Sequence, residues 1–207
     1  TLAANHTVVT MDSRGHGRSS FDGRQMTYRR MADDTLTLMD HLGIERVDIV
    51  GWSDGAIIAL DIALRLPNRL GKVVAYGVNF NQGGYRSDDA EPKSTPGAER
   101  FIAESPDRYR AQSPHPERAD EVLTNLREMW TTEPNWTAEE MRSIHTPILV
   151  LDGIEEEVID LDHARLLADL LPNGTLQLMP GTGHFAMIDQ PEEFTRIVVD
   201  YLNSPAS

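Results

Sequence analysis

The sequence predicts an α/β protein in which a mostly parallel sheet is covered by helices on both faces. Two observations support this prediction. Short apolar runs rich in β-branched residues alternate along the chain with longer segments of helical apolar spacing. At 207 residues, of which 40% are hydrophobic, the chain is long enough to bury one core. Such alternation is typical of parallel strands that are joined by crossover helices.

Five segments have the composition of buried strands. Each is rich in valine, isoleucine or leucine, and each is followed by a turn-forming Gly, Pro, Asn or Ser. These segments are Thr7–Asp12, Val47–Val50, Lys72–Val78, Pro147–Asp152 and Thr175–Met179.

Six longer segments have the spacing or composition of helices. Gly43 and Pro67 provide stop signals after the first two, and Pro191 suits the first turn of the last. The six segments are Met26–Leu42, Asp54–Leu66, Gly97–Arg110, Pro116–Trp130, Leu161–Leu171 and Pro191–Leu202.

The alternation is interrupted after the third predicted strand. Asn79–Pro96 is rich in Gly, Asp, Asn, Ser and Pro, which predicts a loop, and two helical segments follow it without a strand. We therefore expect residues 1–80 and 143–207 to form the core and residues 81–142 to form a helical cap. The aromatic residues of this insertion either line a substrate site or hold the cap in place; they are Tyr85, Tyr109, Trp130 and Trp136.

Residues 51–55 read Gly-Trp-Ser-Asp-Gly and lie between a predicted strand and a predicted helix. The pattern G-x-S-x-G in this context is the nucleophile elbow, a sharp turn that exposes a serine hydroxyl at the top of a sheet. We expect Ser53 to be the nucleophile. We also expect that only residues with little or no side chain fit two positions before and two positions after Ser53, which accounts for Gly51 and Gly55.

A serine hydroxyl needs a base to accept its proton, and the base needs an acidic partner. Of the seven histidines, His184 follows the last predicted strand in a Gly-rich loop that can present it over the sheet edge. His16 is a further candidate for the pocket wall. The acid is expected among Glu155, Glu156 and Glu157, which follow the fourth predicted strand. The chain order serine, acid, histidine agrees with the elbow.

Three motifs together resemble the α/β-hydrolase superfamily, and specifically its small capped serine hydrolases. Residues 12–19 resemble the family's D-x-R-G-x-G-x-S turn, residues 51–55 match the elbow, and residues 183–185 resemble the terminal histidine motif. The resemblance covers essentially the whole chain and implies a three-layer α/β-hydrolase fold.

The resemblance also implies roles for individual residues. The family acid usually reads Gly-x-x-Asp, and the same register from Gly153 places Glu156 at the acid position, with Glu155 or Glu157 as alternatives. The backbone N–H of Asp54, which follows the nucleophile, is expected in the oxyanion hole. Trp52 and Phe185 are candidates for the pocket wall.

The expected function is a cofactor-free serine hydrolase that acts on an ester or lactone of a small, largely apolar substrate. One alternative is hydrolysis of a carbon–carbon bond next to a ketone by the same three residues. Another is a non-catalytic binding protein on the same fold. No metal site is expected, because the acidic residues near Glu155–Glu157 suit a solvated loop.

The family resemblance predicts more chain than is printed. Family members begin with further strands and an H-G loop that supplies a second oxyanion N–H, whereas residues 1–11 precede the first motif and contain no H-G pair. We therefore expect an upstream segment or another chain to complete the sheet between Thr7–Asp12 and the elbow strand.

The net charge of −14 argues against nucleic-acid or membrane-surface partners, because such a chain repels phosphate groups. No apolar run approaches the roughly 20 residues of a membrane span. The absence of cysteine excludes disulfides and thiolate chemistry. We expect a small-molecule substrate and a cytoplasmic location, and the sequence does not define the oligomeric state.

Overall fold

A four-stranded parallel sheet forms the centre of the computed structural model, which describes residues 2–87 and 93–205. The strands lie side by side in chain order; they are β1 (Val47–Trp52), β2 (Leu70–Tyr76), β3 (Ile148–Gly153) and β4 (Gly174–Met179). Each neighbouring pair is parallel, so the carboxyl ends of all four strands meet at one edge of the sheet. Functional groups of open α/β sheets lie at this edge.

Helices connect the strands and cover both faces of the sheet. They are α1 (Tyr28–His41), α2 (Asp54–Arg65), α3 (Pro96–Gln112), α4 (Ala119–Thr132), α5 (Ala138–Arg142), α6 (Leu161–Leu170), α7 (Ala186–Asp189) and α8 (Pro191–Asn203). The six predicted helices are confirmed, each within three residues at either end. The short helices α5 and α7 were not predicted, and residues 88–92 of the predicted loop lie outside the described residues.

The sheet separates two apolar layers. Val73 and Ala75 of β2 point into the larger cluster, which α1, α2 and α6 complete. Val74 and Tyr76, the alternating residues of the same strand, point into a smaller cluster that α8 completes. A strand buried on both faces is the arrangement that the continuous apolar runs predicted.

The helices between β2 and β3 share this core. Val122, Leu126 and Met129 of α4 are buried in the same cluster as the residues of α1 and α2. Residues 81–142 are therefore joined to the rest of the molecule by apolar packing as well as by the chain.

The prediction of a strand at Thr7–Asp12 is wrong. These residues form no strand, and Val8 and Val9 are 47% and 48% exposed. Their alternating β-branched composition favours extended backbone, but a strand also needs a neighbour to pair with its N–H and C=O groups. Within the described residues, β1 lies at the edge of the sheet and pairs with β2 alone.

None of the described helices is long and apolar enough to cross a bilayer.

Candidate active site

Ser53 lies at the junction of β1 and α2, with Trp52 ending the strand and Asp54 beginning the helix. Its φ of 52° and ψ of −119° make it the one non-glycine residue with positive φ among the residues described. An L-residue in this region is strained and needs the surrounding structure to hold it there. The Ser53 N–H donates to the Tyr76 carbonyl at 2.8 Å, so β2 supports the turn.

The two glycines of the elbow are not equivalent. A Cβ on Gly51 would lie 2.5 Å from the Gly55 carbonyl oxygen and 2.6 Å from the Ala56 nitrogen, both of which are backbone atoms. A Cβ on Gly55 would meet nothing within 4 Å. The expectation that neither position has room for a larger side chain is therefore right for Gly51, which lies against backbone atoms of α2, and wrong for Gly55, where a side chain would meet open space.

His184 and Glu156 are brought together although 28 residues separate them. His184 Nδ1 donates to Glu156 Oε1 at 2.8 Å, and both side chains are buried. With Nδ1 carrying the proton in this hydrogen bond, Nε2 is the nitrogen that is free to accept one. The same Glu156 oxygen accepts the N–H groups of Val158 and Ile159 at 2.8 and 2.9 Å.

The charge state of Glu156 follows from these contacts. Burial is the largest single influence and would raise the pKa of this carboxyl, but the hydrogen bond and charge of His184, together with hydrogen bonds from Asp152 and the Ile159 N–H, hold the pKa below its usual value. Glu156 is therefore a buried carboxylate at neutral pH, with its charge directed at the imidazole.

The neighbouring glutamates occupy different positions. Glu155 is exposed and faces Lys93 at 3.9 Å. Glu157 lies behind the histidine, where its carboxylate accepts the backbone N–H of His184 at 2.5 Å and that of Thr95 at 3.1 Å. Of the three, Glu156 is the one that contacts the His184 ring.

The end of β2 positions the imidazole next to the elbow. Gly77, which has a φ of 60°, follows β2, and a Cβ there would lie 2.7 Å from His184 Cε1. The Tyr76 hydroxyl donates to the Gly183 carbonyl. Since Ser53 also binds the carbonyl of Tyr76, the predicted nucleophile and base both lie against the carboxyl end of one strand.

Aromatic side chains surround His184. The Trp52 indole N–H donates to the His184 carbonyl at 2.7 Å, and the Trp52 and Phe185 rings lie 5.7 and 5.4 Å from the imidazole. Phe101 of α3 joins them, with ring centroids 5.4 Å from Trp52 and 4.8 Å from Phe185. The sequence pointed to Trp52 and Phe185, whereas nothing in the pattern around Phe101 distinguished it from other apolar helix residues.

The side chain of Asp54 makes contacts that the sequence did not predict. It accepts the Tyr28 hydroxyl at 2.7 Å and the Trp130 indole N–H at 3.0 Å. Burial, together with the charge of Asp54, raises the pKa of Tyr28, which therefore stays a neutral donor. The residue after the nucleophile is thus tied to both α1 and α4.

The remaining pocket candidates make other contacts. His16 Nδ1 bonds the Arg14 carbonyl at 3.0 Å within its own turn. Tyr109 and Trp136 pack against the main apolar cluster, and Tyr85 pairs with Ile159 in an isolated antiparallel bridge. Over residues 2–87 and 93–205, no group of three or more His, Cys, Asp or Glu side chains is arranged to hold a metal ion.

This fold and site agree with the relationships of the chain to known proteins. A model of the alpha/beta hydrolase family matches residues 1–197, so the chain belongs to the α/β-hydrolase family. The chain is 28% identical to a Caulobacter protein (strain K31) named "Putative carbamate hydrolase RutD", over 100% of this chain and 84% of that protein. It is 26% identical to human serine hydrolase BPHL, over 95% of this chain and 69% of BPHL.

Solved structures show the same architecture. The meta-cleavage product hydrolase CumD from Pseudomonas fluorescens IP01 superposes with a TM-score of 0.75 at 23% identity, over 93% of this chain and 78% of that chain. This level of identity supports the fold alone. The family membership and the hydrolase relatives together identify the chain as an α/β hydrolase.

Proposed function

We propose that the protein is a serine hydrolase that cleaves a carboxylic ester or lactone of a small, largely apolar substrate through an acyl-enzyme. The observation that carries this proposal is the buried His184–Glu156 hydrogen bond at the carboxyl end of β2, the strand end that also supports Ser53 in positive-φ backbone. A hydroxyl on a strained turn, an imidazole and a buried carboxylate are the parts that activate a serine nucleophile.

In the proposed reaction, Ser53 Oγ attacks the substrate carbonyl carbon while its proton passes to His184 Nε2. Glu156 stabilises the resulting imidazolium. The N–H of Asp54, at the positive end of the α2 dipole, donates to the developing oxyanion. His184 then protonates the leaving alkoxide, and a water molecule that is deprotonated by the same histidine hydrolyses the acyl-enzyme. None of these steps uses a metal ion or cofactor.

The proposed substrate class follows from the surroundings of His184. Trp52, Phe101 and Phe185 form an aromatic cluster, with Trp52 and Phe185 next to the imidazole, and such surroundings suit an apolar acyl or alkyl group better than a charged one. Because Phe101 belongs to α3, we propose that residues 81–142 act as the cap that closes over this cluster.

Hydrolysis of a carbon–carbon bond is the second candidate. It is favoured by the 27% identity of the chain to a 2-hydroxy-6-oxononadienedioate/2-hydroxy-6-oxononatrienedioate hydrolase of Pseudomonas putida, over 97% of this chain and 78% of that protein. The same serine and histidine would act on a ketone in place of an ester.

Turnover of nitrophenyl esters of increasing acyl length, next to turnover of a dienone substrate, distinguishes the two candidates. We expect ester cleavage that requires Ser53 and a fluorophosphonate adduct on that residue. Faster dienone cleavage with the same adduct would favour carbon–carbon hydrolysis. A folded sample without an adduct and without turnover would favour a binding protein.

A further inference from the structure

A second carboxyl group lies behind Glu156. Asp152, the penultimate residue of β3, is fully buried, as is Glu156. Asp152 Oδ1 accepts the Gly153 N–H at 2.9 Å, but Asp152 Oδ2 and Glu156 Oε2 are both buried without an N–H or hydroxyl partner. The two carboxyl groups act on each other, because a side-chain hydrogen bond between them raises the pKa of Asp152 and lowers the pKa of Glu156. Two buried oxygens that lack other donors are satisfied if one carboxyl group keeps its proton.

We propose that Asp152 is a neutral carboxylic acid whose O–H donates to Glu156 Oε2, and that this hydrogen bond holds Glu156 against His184. The proposal rests on the proposed serine hydrolase function and adds to it a residue that positions the acid. Asp152 does not touch the substrate and is a positioning residue that acts through Glu156.

The hydrogen bonds decide which of the two groups carries the proton. Glu156 Oε1 accepts three donors, which are His184 Nδ1 and the N–H groups of Val158 and Ile159. Asp152 accepts a single backbone N–H. Each donor favours the ionised form of the group that it binds, so the charge belongs on Glu156 and the proton on Asp152.

The electrostatic surroundings of Asp152 act in the same direction. Burial is the largest influence that raises the pKa of Asp152, followed by the charge of Glu156 and the hydrogen bond with it. Glu157 adds a further negative charge, and Tyr76 of β2 is a further titratable group that interacts electrostatically with Asp152. His184 faces the pair through Glu156 Oε1.

In the proposed arrangement, each oxygen of the Glu156 carboxylate has its own hydrogen-bond donor. The Asp152 O–H occupies Oε2, and Oε1 remains aligned with the imidazole. Without the Asp152 donor, a buried carboxylate oxygen would be unsatisfied, which disfavours the ionised form of Glu156 that the imidazolium requires.

Two substitutions of Asp152 test the proposal. Asparagine tests whether the carboxyl group is protonated or ionised, and alanine tests whether its donor is needed. Asp152→Asn keeps the shape, an acceptor for Gly153 and a neutral donor for Glu156. We expect kcat and KM close to wild type and an unchanged acidic limb of the pH profile of kcat/KM. Asp152→Ala removes the donor, and we expect kcat to fall about ten- to hundredfold with little change in KM, as for loss of a hydrogen bond to a charged group.

A shifted pH profile in Asp152→Asn would overturn the proposal. If Asp152 were ionised, asparagine would remove a negative charge near His184, and the acidic limb would move to lower pH. Unchanged turnover in Asp152→Ala would also contradict a positioning role, because Glu156 would then keep its position without the Asp152 donor.

NMR titration makes the test independent of turnover. The His184 ring signals and the Asp152 side-chain carboxyl carbon are followed against pH in the wild-type protein, and His184 is also followed in the asparagine variant. We expect a protonated Asp152 across neutral pH and the same His184 midpoint in both proteins. An ionised Asp152 at neutral pH would exclude the proposal even if Asp152→Ala fails to fold. Failure of the proposed function would instead appear as wild-type protein without hydrolysis or a Ser53 adduct.

Discussion

At the scale of single residues, the three consecutive glutamates show how position in space distinguishes identical side chains. Glu155 is exposed, Glu157 binds backbone N–H groups, and Glu156 is buried against an imidazole. The register from Gly153 predicted Glu156 but left its neighbours as alternatives. Sequence could not separate them further, because the distinction depends on His184, which is 28 residues away.

Glu156→Gln is expected to lower kcat/KM for ester hydrolysis by a thousandfold or more, roughly the scale of losing the orienting acid of a serine hydrolase. The neutral amide can hold the wrong imidazole tautomer and does not stabilise the imidazolium. The measurement is steady-state ester turnover across pH. Glu155→Gln removes the same charge at an exposed position and serves as the matched control, with activity expected near wild type. Equal losses in the two variants would mean that Glu156 has no special role.

His163 illustrates a buried histidine with a structural role. Its Nε2 accepts the Phe80 N–H at 3.2 Å, and its ring stacks on Phe80 with centroids 4.3 Å apart. Burial lowers the pKa of His163 to about 4, against a small opposing influence from Asp160. Accepting this hydrogen bond requires a neutral ring, so protonation and folding compete.

This competition predicts loss of stability in acid. The folded pKa of His163 is about 4, and the unfolded pKa is about 6.5. The unfolded chain therefore binds the proton more readily. The contribution of His163 is fully present above pH 6.5 and is lost as the pH falls toward 4, by at most about 1.4 kcal/mol per pH unit.

Urea unfolding of His163→Gln at several pH values between 7 and 4 measures this contribution. Gln offers an acceptor for the Phe80 N–H without titrating, so we expect a weaker loss of stability in acid than in the wild type. His145 is exposed, and His145→Gln should reproduce the wild-type pH dependence. If the free energy of unfolding changed with pH in the same way in all three proteins, the assigned role of His163 would be contradicted.

At the scale of elements, the elbow shows that a sequence motif can include a glycine that steric contacts do not require. The G-x-S-x-G motif contains two glycines, but only Gly51 lies against backbone atoms. Gly55 lies in the first turn of α2, where a side chain would meet open space. The motif specifies residue types, but the contacts that each position makes in the folded chain determine which glycine is needed.

Gly51→Ala and Gly55→Ala are therefore expected to change the stability of the protein in opposite directions. The methyl group at Gly51 would force backbone apart and cost about 1–3 kcal/mol of stability, as for overpacking, with loss of activity as Ser53 moves. At Gly55, alanine restricts the unfolded chain and suits a helix, so we expect a gain of about 0.4–1 kcal/mol. Thermal melting and fluorophosphonate labelling report the two effects. A destabilised Gly55→Ala would show that the elbow needs glycine at both positions.

The strands and helices also show where local patterns suffice. The six helices have apolar faces or end signals that the chain itself carries, and their bounds agree closely with prediction. Residues 7–12 have a strand-like composition, but a strand depends on a partner that no local pattern specifies. Pro106 lies inside α3, within the segment that the sequence predicts as a helix.

At the scale of the whole molecule, the contacts that sequence missed are those between distant segments. Tyr28, Asp54 and Trp130 meet from α1, α2 and α4, and Asp152 interacts with Glu156, the proposed acid. The sequence pointed to Asp54, Trp130 and Glu156 for other reasons, but it predicted none of these contacts and gave no role to Tyr28 or Asp152. Their roles depend on burial and on the partner, so only the assembled structure reveals them.

The shared core makes a prediction about cooperativity. Residues 81–142 were expected to be an inserted cap, yet Met129 of α4 is fully buried in the cluster that contains α1 and α2. An insertion that shares the main core should unfold with it and not before it. The Trp130 contact with Asp54 adds a polar connection between the same parts.

Met129→Ala is therefore expected to lower the stability of the entire molecule by about 2–5 kcal/mol, the range for truncating a buried methionine. Urea unfolding should remain a single transition in which far-UV circular dichroism and tryptophan fluorescence coincide. Leu123 lies on the same helix but is 39% exposed. Leu123→Ala should stay within about 0.5 kcal/mol of wild type, as surface substitutions do. If Met129→Ala instead produced an early fluorescence transition with the remaining signal unchanged, α4 would unfold separately, and residues 81–142 would behave as an independent lid.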